Sequence, residues 1–397
     1  MASRWKLFRS TRFVWLVVWA HCMGAANAFQ VSSDSAFANN PRHETTRKLH
    51  LTFPVHEGLT HAAMHAAEHI QARCGAKVGP LSPLLGRSIV QGSVWNDDPL
   101  RYLPANEHDW LVSYLDGDTR NGIDYQFDHM YQSHFGPLQF LHAMAGQNQD
   151  VPAAILMWSE LVFRIGRGEF THATKFSEVR RGLSPASAIH FDKLFFRPRS
   201  GWNLGKLFLD RCNSTWSAGW FGKRSKLACQ SSVRDAAQRD EVLKGVATGS
   251  LLHIVQDSYS PSHVSRGNQR HSGELAKLYN AGAIRLFKNY KDQDGVCHGK
   301  SDRVPPDEPH IACLERAVPG CPPRAMLLDG IVKKVQKNLD NPIGIGAEII
   351  SCVLPQNPAA TSWDTFRVYM EKTVLISEAD VPSHSEACPR SDSNPAP

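Results

Sequence analysis

Apolar positions along the chain recur mainly at helical spacing. Residues 55–74 form an alanine-rich run compatible with a helix, and residues 137–167 carry Leu138, Leu141, Met144 and Ala145 toward one face. Residues 233–257 and 273–290 predict further helices, and residues 243–257 read as one uninterrupted helix. Alternating β-branched stretches bounded by tight turns are sparse. The segments between these runs are polar or broken. Residues 29–50 lack periodicity and predict an extended arm. Residues 104–128, with Asp116-Gly117-Asp118 and Asn121-Gly122, predict a long loop, as does the proline-rich stretch 305–323. No internal repeat interrupts this pattern, and residues 391–397 form a polar tail. The expectation is an all-α fold: one multi-helical domain with long loops over residues 29–390.

The first residues stand apart. Arg4, Lys6, Arg9 and Arg12 precede an apolar run at 13–20, and Ala26-Asn27-Ala28 offers small residues around a cleavage point. Residues 1–28 therefore predict a signal peptide and a secreted or periplasmic protein beginning at Phe29. Of nine cysteines, Cys22 would leave with it. The other eight (Cys74, Cys212, Cys229, Cys297, Cys313, Cys321, Cys352 and Cys388) include no Cys-x-x-Cys pair. An even number in an exported chain predicts disulfides rather than a cysteine-ligated metal. A net charge of +6 is only mildly basic, and no basic run is interleaved with aromatic residues. A dedicated nucleic-acid-binding module is not indicated, whereas a phosphate-bearing substrate or an anionic membrane surface is compatible.

Candidate chemistry concentrates at His253-Ile-Val-Gln-Asp257-Ser-Tyr-Ser-Pro-Ser-His263. His253 and Asp257, four apart, emerge from one helical face a turn from each other. Pro261 interrupts the helix and lets the chain return His263 toward them. Imidazole and carboxylate together suit zinc. Such a pair alone is commonly a surface hydrogen bond. A second pair, His298 and Asp302, strengthens the metal reading, as do Trp95-Asn96-Asp97, Ser133-His134-Phe135 and His56 ahead of the alanine-rich run.

In these motifs the chain resembles the zinc-dependent phospholipase C and single-strand nuclease superfamily. The resemblance runs from about residue 56 to 302 and is strongest at His253, Asp257, Pro261 and His263. It implies a helical secreted enzyme with three zinc ions in one cleft. Asp97, His134, His253 and Asp257 would hold the first zinc, and His263, His298 and Asp302 the second. Asp257 would bridge to a third, completed by His56 and by the amine and carbonyl of Phe29. His61 is the alternative to His56, and Asp98 to Asp97. The implied activity is phosphodiester hydrolysis, with Asp97 orienting or deprotonating the attacking water. The implied substrate is a glycerophospholipid at a membrane surface, cleaved to diacylglycerol and a phosphorylated head group. A single-strand nuclease or 3′-nucleotidase, with nucleic acid as substrate, and a non-catalytic zinc-binding protein are the alternatives. No obligate protein partner is evident.

Other residues read as structural. His142, on an apolar face, is expected to be a packed core histidine or a partner orienting a ligand. His65 and His69 read as helix-surface residues, and His108, His129 and His172 as loop-surface residues. Asp116-Gly117-Asp118 lacks the rest of a calcium loop, Gly166-Arg167-Gly168 lacks a phosphate-loop ending, and Ser250 and Ser258 lack a nucleophile turn. The aromatic group Phe195, Phe196, Trp202, Trp216, Trp220 and Phe221 is expected to pack in the core.

Overall fold

In the computed structural model, residues 55–99, 129, 132–134, 136–146, 149–195, 201–219, 222–231, 233–267, 282–289, 310–315 and 320–376 are described. They are mainly helical. Helices α1 (Val55–Ala67) and α2 (Pro83–Gly92) are followed by a 3-10 turn (Gln139–His142) and by α3 (Val151–Gly166). Then come α4 (Phe176–Gly182), α5 (Pro185–Leu194), α6 (Leu204–Phe208) and α7 (Ala236–Asp257), and after them α8 (Arg324–Lys337), α9 (Pro342–Val353) and α10 (Trp363–Thr373). Among the described residues there are also two antiparallel pairs: β1 (Arg211–Gly219) with β2 (Gly222–Gln230), and β3 (Val264–Arg266) with β4 (Ile284–Phe287).

Helix starts follow local chemistry. Ser82, Asp150, Ser184, Asp235, Asn341 and Ser362 each accept a backbone N–H from the first turn of the helix they open. Proline follows four of them inside the first turn, where its missing N–H costs nothing.

Helix α7 is the axis of the fold and is almost wholly buried from Val242 to Asp257. Its small residues let α2 cross at unusually close range. A Cβ on Gly249 would meet the Cα of Gly92 at 2.6 Å, and one on Gly92 would meet the Cα of Val246 at 2.8 Å. On another side, α9 lies against α1, with Gly346 facing Ala63. A disulfide between Cys74 and Cys352 fixes the chain after α1 to α9. Beside it, Arg73 donates Nε (3.0 Å) and Nη2 (2.6 Å) to the fully buried Glu348, which also accepts from Tyr369 Oη at 3.0 Å. A second, local disulfide joins Cys313 and Cys321. Trp95, Phe140, Trp158, Phe195 and Phe208 fill the core beside α3 and α6, and Trp202 packs on Phe195 as expected. Among the described residues no helix is long and apolar enough to cross a membrane.

The mainly helical expectation holds, with local corrections. The helix predicted over 137–167 is two elements, because Ala143 adopts a left-handed conformation (φ 49°) and ends the 3-10 turn. Part of the helix predicted over 273–290 is strand β4: Ile284 is buried, Arg285 exposed and Leu286 buried, a period of two in too few residues to register as a strand. The β1–β2 hairpin was not legible either, since its sequence is largely small and polar; its register sets Cys212 opposite Cys229.

Candidate metal centre

The close crossing of α2 and α7 sets one side of a buried histidine–aspartate cluster. With α2 ending against α7, His253 Nδ1 donates to the Ser93 carbonyl at 2.7 Å. The next residues of that chain are pinned as well. Asn96 Nδ2 donates to the carbonyls of Leu141 (2.6 Å) and Ser250 (3.2 Å), and its Oδ1 accepts from Ser250 Oγ at 2.8 Å. Ser250 accepts in turn from Trp158 Nε1 at 3.1 Å. Thus Ser250 is a structural hydroxyl, and Asn96 docks the 3-10 turn and the Asp97 segment on α7.

Asp257 ends α7 one turn beyond His253. The following turn brings the chain back, and His263 Nδ1 donates to the His142 carbonyl at 2.5 Å. Arg266 secures that turn by donating to the carbonyls of Ser258 (2.9 Å) and Gly282 (2.8 Å). Across the cluster, His56 on α1 donates Nδ1 to Gln256 Oε1 at 2.6 Å, and Gln256 Nε2 donates to Thr60 Oγ1 at 3.1 Å. Carbonyl oxygens can only accept, so in all three histidines the proton sits on Nδ1, and in His56 and His253 it is Nε2 that faces Asp257. Nearby carbonyls that fix tautomer and ring orientation are the usual surroundings of metal-binding imidazoles.

The donor atoms converge. Asp257 Oδ2 lies 3.0 Å from His253 Nε2, 3.0 Å from His142 Nδ1 and 3.4 Å from His263 Nδ1, while its Oδ1 lies 3.4 Å from His56 Nε2. His253 Nε2 and His142 Nδ1 are themselves 3.0 Å apart. Ligand atoms about 2.0–2.1 Å from a tetrahedral zinc are about 3.3 Å from one another, so the spacing suits an ion. Asp97 forms the far wall, with Oδ1 at 3.9 Å from His134 Nε2 and 3.8 Å from His142 Nδ1, and Oδ2 at 3.9 Å from His253 Nε2. Among the described residues, three overlapping groups could hold a metal ion: His56, Asp97 and His253; Asp97, His134 and His142; and His142, His253 and Asp257. A further surface group comprises His65, Glu68 and His69.

Electrostatics agrees with the donor chemistry. Burial is the first cause of every shift. It drives His56, His142 and His253 below the ordinary histidine value and His263 to about 3. It pushes Asp257 well up and Asp97 to about 7, the latter against the pull of His253 and with help from Asp257, Glu57 and Asp98. The close histidine–aspartate approaches are therefore not ion pairs of charged imidazoles. Neutral His253, with its Nδ1 proton given to Ser93, turns a lone pair toward Asp257 Oδ2, a contact satisfied either by a proton on the carboxyl or by a cation between the two. The carboxylate also sits at the negative end of α7, where a cation is favoured. The residues present fit a divalent metal.

Of the predicted site residues, His56, Asp97, His134, His253, Asp257 and His263 are brought together. His298, Asp302 and Phe29 lie outside the described residues. His61 is not in the cluster: its Nε2 pairs with Glu315 at 2.7 Å, away from Asp257. Asp98 is buried beside Asp97 and acts on its titration. His69 is exposed as expected, whereas His65 is half-buried. His142 sits inside the donor group rather than merely near it, and its neighbours in sequence gave no sign of this because the 3-10 turn departs from helical spacing. Gln256, next to Asp257, escaped notice because its partner His56 is 200 residues away. His129, expected at the surface, is buried against the Trp95 ring at 4.1 Å. His172 is partly buried and bonds Asp240 at 2.7 Å.

No family model, curated protein or solved structure matches this chain.

Proposed function

We propose that the chain is a zinc-dependent phosphodiesterase of the phospholipase C kind, cleaving glycerophospholipids to diacylglycerol and a phosphorylated head group. One observation carries the metal part of this reading: two buried imidazoles, His56 and His253, each give their Nδ1 proton to a carbonyl and turn Nε2 toward Asp257, at 3.4 and 3.0 Å. His56, Asp97, His134, His253, Asp257 and His263 would hold the ions, with His298, Asp302 and the amino terminus at Phe29 as further candidates. Bound zinc supplies a water ionised near neutral pH and neutralises phosphate oxygens. The fold supplies orientation and the exclusion of bulk water. Asp97, held to about 7 chiefly by burial, is suited to take a proton from the attacking water. The water oxygen bonds to phosphorus, the phosphorus–oxygen bond to glycerol breaks, and the proton passes to the departing diacylglycerol oxygen. The resemblance of the His253–His263 and His298–Asp302 segments to zinc phospholipases supports the lipid substrate, and the two disulfides among the described residues support action in an oxidising compartment.

Zinc-loaded protein incubated with phosphatidylcholine vesicles should release phosphocholine, and a chelator should stop the release. Zinc bound without that release would remove the phospholipase reading, and cleavage of single-stranded DNA in its place would turn it to the nuclease. Protein that takes up no zinc would remove both.

A further inference from the structure

His142 occupies the middle of the cluster. Its Nδ1 lies 3.0 Å from Asp257 Oδ2, 3.0 Å from His253 Nε2 and 3.8 Å from Asp97 Oδ1, and its ring is 4.6 Å from that of His134. It is the residue shared by the Asp97–His134 half and the His253–Asp257 half. The backbone that carries it is firmly fixed. Ala143 ends the 3-10 turn in a left-handed conformation, and three hydrogen bonds close a ring through the surrounding segments. His263 Nδ1 donates to the His142 carbonyl at 2.5 Å, Lys288 N donates to the His263 carbonyl at 2.8 Å, and Ala145 N donates to the Lys288 carbonyl at 2.8 Å.

We propose that His142 is a metal ligand through Nδ1, the imidazole that joins the two halves of the centre while its main-chain carbonyl orients His263. This rests on the reading of the cluster as a metal centre. It assigns His142 a role that neither its sequence context nor the family resemblance gives it. The competing role is plain: His142 could hold Asp257 by an Nδ1–H donor alone. The two roles make opposite demands on Nδ1, which must carry a lone pair to ligate and a proton to donate. They also differ from the arrangement of His56 and His253, which turn Nε2 toward Asp257.

The test uses the full chain loaded with zinc, cobalt(II) or cadmium-113. In wild-type protein labelled with nitrogen-15 histidine, cadmium-113 should show a one-bond coupling to an Nδ1 atom, alongside couplings to Nε2 atoms. That Nδ1 coupling should vanish in His142→Asn, which keeps a side-chain N–H donor of similar reach but loses the imidazole. The same variant should bind zinc at least about tenfold more weakly and shift the visible bands of the cobalt-loaded protein, and His142→Ala should do the same. Wild-type protein without an Nδ1 coupling would overturn the proposal, even if both variants failed to fold. A His142→Asn protein with wild-type zinc affinity and cobalt spectrum would overturn it equally. Wild-type protein that binds none of the three metals would instead bring down the metal-centre reading itself, and this inference with it.

Discussion

At the scale of single residues, Asp257 and His56 differ in what they can lose. The two oxygens of Asp257 face different partners: Oδ1 looks to His56, and Oδ2 to His142, His253 and His263. A carboxylate can bridge ions through both oxygens, whereas an amide cannot carry the charge that holds them. Asp257→Asn is therefore expected to remove two zinc ions per chain and His56→Ala at most one, read by elemental mass spectrometry on dialysed protein. Equal zinc in the two variants would reject the bridging role. A second residue-scale prediction concerns acid. Burial holds His129 at about 3 in the folded chain, against an unfolded value near 6.5. Below about pH 6.5 the unfolded chain takes up this proton and the folded chain does not, so stability is present above that pH and is lost as pH falls toward 3. The Tm of metal-free protein should drop over this interval, and His129→Phe, which keeps the ring packing on Trp95, should make the decline shallower. An unchanged slope would show that His129 does not contribute.

At the scale of elements, the α2–α7 crossing makes two glycines costly to replace and leaves another free. Gly245 and Gly249 lie one turn apart on α7, and a side chain on either would strike α2 backbone. Gly249→Ala must force the helices apart, costing about 1–3 kcal/mol as overpacking does, and it should weaken the bond that His253 gives Ser93. Gly330, in the middle of exposed α8, meets nothing within 4 Å. Gly330→Ala should stabilise by about 1 kcal/mol through helix propensity alone. Urea unfolding of the two variants checks both signs at once. The same crossing shows how far the sequence could be read. Helices α1, α3 and α7 and the His253–Asp257 face follow from apolar spacing and from capping residues that act within a few positions. The fit of α2 against Gly245 and Gly249, the bond from His56 to Gln256 and the place of His142 in the cluster depend on tertiary approach. No local period carries them. Strand β4 was hidden for a related reason: four residues with one exposed position satisfy a short helix as well as a strand.

At the scale of the whole molecule, two kinds of tie span the chain. The disulfide between Cys74 and Cys352 closes a loop of sequence separation 278. Removing such a link by paired serine substitution should cost about 2–5 kcal/mol, whereas loss of the Cys313–Cys321 bridge, separation 8, should cost less because the unfolded chain gains little freedom. The candidate metal centre ties a different set of segments: α1 through His56, the end of α2 through Asp97, the 3-10 turn through His142, and α7 with its following turn through His253, Asp257 and His263. Without a cation this region buries carboxylates that burial pushes toward the neutral form and imidazoles it keeps uncharged, so its segments are joined by hydrogen bonds between neutral groups rather than by ion pairs. Metal binding then becomes part of folding stability. Free zinc at 100 times its Kd should stabilise the chain by about 2.7 kcal/mol. Chelation should accordingly lower Tm by several degrees and re-addition of zinc should restore it, followed by calorimetry at constant pH. The effect should be much reduced in Asp257→Asn, whose disulfides are intact. A Tm that zinc and chelator leave unmoved in the wild-type chain would mean that packing and disulfides alone hold these segments, and the centre would then have no claim to a structural metal.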